Sequence, residues 1–171
     1  MLFKWLKGDE ASRTPGASEE LIKLVARSMP KANAHDAAIV GALAGLMASV
    51  AHADRKYTEA EREAVSSAFA KLHCLAPEAL GAIESLFEER LAELAHEPLQ
   101  TYTRVLYDGL EREARFEVFE ALMDLAAADE VVDMLETNLL RRIARGLGLS
   151  DHEYLASQER HRKRLSVLQP R

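Results

Sequence analysis

The sequence predicts an all-α protein, a single compact helical domain of seven to eight helices built from a divergent internal repeat. Three observations carry this. No stretch of the 171 residues alternates apolar and polar side chains with the period of two that a strand requires. Ala and Leu dominate while aromatics make up only 6%, a composition that favours helices. Apolar residues instead recur at helical spacing, in segments bounded by prolines, glycines and good N-cap residues. Hydrophobic residues are 48% and charged ones 29% of the chain, the balance of a globular domain with a full core.

Residues 1–17 read as an N-terminal segment and linker, 18–165 as the domain and 166–171 as a tail. The opening MLFKWLKG is amphipathic, and Trp5 between Lys4 and Lys7 suits contact with a membrane surface or a partner. Eight residues are too few for stable membrane binding, so the preferred reading is a segment folded back to cap the domain. A first helix begins near Ser18, carries Leu21, Ile22, Leu24, Val25 and Met29, and stops at Pro30.

The next helix, about 33–53, is the centre of the chain. From Ala37 to Ala53 run 17 residues without acid, lysine or arginine, apolar all round a helical projection. That is the pattern of a helix buried in a bundle; for a membrane span the run is short and its residues too small and weakly hydrophobic. Val40, Leu43, Met47 and Val50 are expected in the core, and Gly41 and Gly45 on one face would let a neighbouring helix approach. Helices follow at about 59–72, 77–95 (with Pro77 at its start) and 99–111 after Pro98. Glu84, Glu88, Glu89 and Glu93 form an acidic, solvated face on the second of these. A helix at 114–128 turns Phe116, Phe119, Leu122, Met123 and Leu125 inward. Its neighbour at 135–145 ends at Gly146 and Gly148, and Ser150 caps a last helix to about 165. Arg160, Arg162, Lys163 and Arg164 in its final turns complement the helix dipole.

The repeat has a spacing of 75 residues. Without a gap, Ala51-His52-Ala53-Asp54 aligns with Ala126-Ala127-Ala128-Asp129, Thr58 with Asp133, and Glu61 with Glu136. The copies span about 37–80 and 112–155, and capping and apolar positions keep register between them. Thr58 with Glu61, and Asp133 with Glu136, have capping-box spacing. Asp54 and Asp129 are the unexpected members, because a carboxylate near a helix C-terminus faces the negative end of the macrodipole.

This motif of Ala-Asp, a short loop and a helix start with Glu seven residues after the Asp, given twice, resembles the TerB-like (tellurite-resistance B) family. The second copy, ADEVVDMLETNLLRRIARGLGLSDHEY, shows it best, and the likeness covers roughly 36–155. The resemblance implies a compact all-helical domain with a pseudo-twofold repeat, and a metal site at the paired acidic loops formed by Asp54, Glu61, Asp129 and Glu136. Arg55 and Glu130 stand where the family often has Gly after the Asp. If that position is left-handed, the change costs about 1 kcal/mol in each loop.

Four converging carboxylates would suit a hard divalent cation, Ca²⁺, Mg²⁺ or Mn²⁺, with Asp133 as a further ligand. No Cys/His cluster is spaced for Zn²⁺, and neither loop has the EF-hand ligand pattern. Capping boxes and Asx-turns account for the same residues without an ion. No nucleophile motif or phosphate-binding glycine loop is present, so an enzyme is not expected. His52, beside the Asp54 loop, could serve as a ligand or base, but its counterpart is Ala127 and a lone histidine at a helix end reads as structural. A net charge of −6 argues against nucleic-acid binding. Cys74, the single cysteine, excludes an internal disulfide and reads as a buried small hydrophobe. With no secretory signal apparent, the expected location is the cytoplasm. Two expectations remain: a cation-binding domain acting in a tellurite or stress response, and a non-catalytic helical scaffold that binds a protein partner without metal.

Overall fold

The structure, a computed structural model, describes residues 25, 27, 29–52, 59–70, 77–127 and 134–161. These form seven helices and no strand: α1 (Ala34–Ala51), α2 (Glu59–Ala70), α3 (Pro77–His96), α4 (Leu99–Gly109), α5 (Arg112–Ala126), α6 (Met134–Gly146) and α7 (Asp151–His161). The expected helix before Pro30 falls mostly outside the described residues; its Val25 and Met29 are buried in the core.

Local chemistry sets the ends. The Asn33 side chain accepts from the Asp36 amide at 2.8 Å and caps α1. Ser150 and Glu153 form a complete capping box on α7: the Glu153 amide donates to Ser150 Oγ at 3.2 Å, and the Ser150 amide donates to Glu153 Oε2 at 2.8 Å. At the end of α6, Gly148 has φ +73°, its amide bonds the Arg145 carbonyl, and the Leu149 amide bonds that of Ala144. That is a Schellman motif, and glycine fits its left-handed position without the steric cost of a Cβ. One feature inside a helix has no sequence signal. Arg90 interrupts α3 with φ −139° and ψ 20°, with neither proline nor glycine beside it.

From Asp36 to Ala51 every residue of α1 is buried. The helix is long and apolar enough to cross a membrane, with mean hydropathy 1.5, but it is covered by protein. It packs on α3, α4, α5 and α6; α5 in turn packs on α2, α6 and α7. Val40, Leu43, Met47, Val50, Phe119, Leu122, Met123 and Leu125 are in the core, as the apolar spacing predicts. Phe116 is an exception, only partly buried, with the Arg160 guanidinium 5.6 Å from its ring.

Small residues let α4 approach closely. A Cβ at Gly45 would overlap the Tyr102 ring, and one at Gly146 would stand 2.6 Å from Thr103 Oγ1. Arg115 is buried although charged. Its guanidinium lies 4.3 Å from the centre of the Tyr107 ring and donates to the Leu147 carbonyl at 2.8 Å, tying α4 and α5 to the end of α6.

Candidate functional site

The predicted acidic site lies where α1 leads to α2 and α5 leads to α6. Asp54 and Asp129 lie outside the described residues, as do Thr58 and Asp133. Glu61 is the third residue of α2 and Glu136 the third of α6, and their side chains are also outside what the structure describes. What is described is the helical frame around them. α1 ends at Ala51 and α5 at Ala126; α2 begins at Glu59 and α6 at Met134, so each boundary recurs after 75 residues. Some contacts correspond between the halves: α1 packs on α6 as α5 packs on α2, and α1 on α3 as α5 on α7, whereas α5 also packs on α6.

The two helix ends share an electrostatic character. His52 caps α1 with φ −97° and ψ 0°, its amide bonded to the Ala48 carbonyl. Ala127 caps α5 with φ −85° and ψ 0°, its amide bonded to the Met123 carbonyl. Neither helix has a basic residue in its last turn. Among the described residues, neither negative dipole end therefore has a lysine or arginine in its own last turn, where one is normally favoured.

Beside the end of α1, the His52 ring stands 5.9 Å from that of His96, the last residue of α3, with 50° between the ring planes. His96 Nδ1 is bonded to the Ala92 carbonyl one turn back. The Tyr102 hydroxyl donates to the Leu94 carbonyl at 2.8 Å, anchoring α4 to the same end of α3. Burial, and then the charge of Glu97, raise the Tyr102 pKa, so the phenol stays neutral. Sequence reasoning treated His52 as isolated and did not single out His96. The available signal was a histidine at each of two helix ends; their proximity depends on how α1 packs against α3.

A groove of about 270 Å³ separates α2 from α3, lined by Glu59, Arg62, Glu63, Val65, Ser66, Glu84 and Phe87. Val65 and Phe87 are buried, whereas Glu59, Glu63 and Glu84 are exposed. Among the described residues, no group of three or more His, Cys, Asp or Glu side chains is placed to hold a metal ion. At the opposite end of α1, Asp36 is 3% exposed and its Oδ1 has no hydrogen-bond partner among the described residues. Burial raises its pKa, and the charge of His35 partly offsets this.

A family model described as "Tellurite resistance protein TerB" matches residues 41–158, over two thirds of the chain. The chain belongs to the TerB family. The match runs from within α1 to within α7 and includes both acidic connections, so the TerB assignment and the all-helical fold agree. Neither the comparison with curated proteins nor that with solved structures returned a match. Arg160 lies in the last turn of α7, as expected, and its guanidinium also pairs with Glu120 of α5 at 2.7 Å, tying α7 to α5.

Proposed function

We propose that this TerB-family domain is a non-catalytic, cytoplasmic cation-binding module acting in a tellurite or stress-response setting. Asp54, Glu61, Asp129 and Glu136 are the ligands assigned to a Ca²⁺, Mg²⁺ or Mn²⁺ ion. One observation carries the reading. The two acidic connections leave helix ends 75 residues apart, at Ala51 and Ala126, and both helices lack a basic residue in the last turn. A cation there would offset the dipoles of α1 and α5 as well as the mutual repulsion of the carboxylates. The donor set also fits: it is all oxygen, which hard divalent ions prefer.

The test is thermal. Millimolar Ca²⁺, Mg²⁺ or Mn²⁺ is expected to raise the melting temperature relative to chelator, because an ion that binds only the folded state stabilises it by mass action. Combining Asp54→Asn with Asp129→Asn should remove that rise and leave helix content unchanged. Equal melting temperatures for the unmodified protein in chelator and in all three ions would sink the cation reading. The partner-binding scaffold would then be the better account.

A further inference from the structure

We infer that His52 and His96 form a two-histidine site, with ligands other than the proposed carboxylates, for a borderline-soft divalent transition metal such as Zn²⁺, Ni²⁺ or Cu²⁺. Imidazole nitrogen is a good ligand for these ions, whereas the proposed carboxylate site suits harder ones. Three observations converge at the junction of α1 and α3.

The first is distance. An imidazole that binds a metal through nitrogen at about 2.0–2.1 Å places its ring centre roughly 3 Å from the ion, so two rings sharing one ion stand roughly 5–6 Å apart. The observed 5.9 Å falls in that interval.

The second is the tautomer. The partner of His96 Nδ1 is a backbone carbonyl, which only accepts, so Nδ1 must carry the proton. In the neutral ring the Nε2 lone pair is then available. A carbonyl holding the far nitrogen is also how metal-binding histidines are commonly oriented and made more basic.

The third is the field. α1 ends at this junction without a basic residue in its last turn, and the histidines stand at the C-terminal ends of α1 and α3, where the dipoles favour positive charge. His52 is half-buried and His96 exposed, so an ion can reach them. No third His, Cys, Asp or Glu among the described residues completes a cluster with them. The remaining positions on the ion go to water, which leaves the site open. Two tilted imidazoles capping helix ends would produce the same ring distance without binding anything, and the experiment separates the two.

The full chain is titrated with Zn²⁺ alone at pH 7 in a non-chelating buffer, following the ring protons of all six histidines by NMR. The expected result is that the His52 and His96 signals move together and saturate at one equivalent. His52→Gln and His96→Gln should each keep the helix content by circular dichroism and weaken binding by about tenfold or more, as loss of a metal-supporting group does. The carboxylate variant, Asp54→Asn with Asp129→Asn, should keep this Zn²⁺ response whether or not it loses a Ca²⁺ response, so the two sites fail independently. Unchanged Zn²⁺ affinity in His52→Gln would overturn the proposal. So would saturation at other histidines, or a Zn²⁺ response abolished by the carboxylate variant and untouched by both glutamine variants.

Discussion

Gly45 and Gly81 are both helical glycines with opposite surroundings. At Gly45 an added methyl group meets the Tyr102 ring, which cannot yield because it is 1% exposed and fixed through its hydroxyl to Leu94. Overpacking of this kind costs about 1–3 kcal/mol, against at most about 1 kcal/mol returned by the better helix propensity of alanine. Gly45→Ala should therefore lower stability by about 1–2 kcal/mol. At Gly81 nothing lies within 4 Å of the added atom, so only the propensity remains. Gly81→Ala should raise stability by about 0.5–1 kcal/mol. Chemical denaturation of the pair checks both signs, and two changes of the same sign would refute the packing argument.

At the scale of the element, α7 is held by groups outside its own backbone ladder. Its capping box is shared with α5, since Arg112 donates to Glu153 Oε2 at 2.8 Å. Its far end is tied by Arg160 to Glu120 and by His161 Nε2 to Asp124 Oδ1 at 3.0 Å. The Ser150 amide, then the Ser150 hydroxyl, then Arg112 hold the Glu153 pKa below its ordinary value of 4.5. A carboxyl whose pKa is depressed on folding contributes stability that is fully present above its unfolded value and is lost as pH falls through the folded one. Glu153→Gln should thus lower the melting temperature at pH 7 and have progressively less effect as the pH falls below 4.5. Melting curves across that range check it; a destabilisation that does not vary with pH would show that the charge is irrelevant.

For the whole molecule, α1 is the shared wall. Because it touches α3, α4, α5 and α6, removing atoms from it leaves a cavity that no single neighbour can fill. Leu43 is 1% exposed near the middle of that helix. Leu43→Ala should cost about 2–5 kcal/mol and shift one cooperative transition rather than split it. A loss below about 1 kcal/mol by denaturant titration would mean that α1 is not central.

What could be read from the chain alone follows from interactions between near neighbours. Asn33, Pro77, Pro98, Gly148 and the Ser150–Glu153 pair act within a few residues of their own positions, so the described helix boundaries were legible within about two residues, the expected end of the last helix near 165 lying outside the described residues. The buried centre was legible as well, because an uncharged helix must be covered on all sides. The family was legible from the twice-given acidic motif. Tertiary structure decided which surfaces touch. It paired Gly45 with Tyr102, turned Arg115 onto the Leu147 carbonyl, paired Arg160 with Glu120, and brought His52 beside His96 across 44 positions of sequence. These contacts depend on the way whole helices cross one another, and crossing is set by the combined shape of many side chains rather than by any local run of residues.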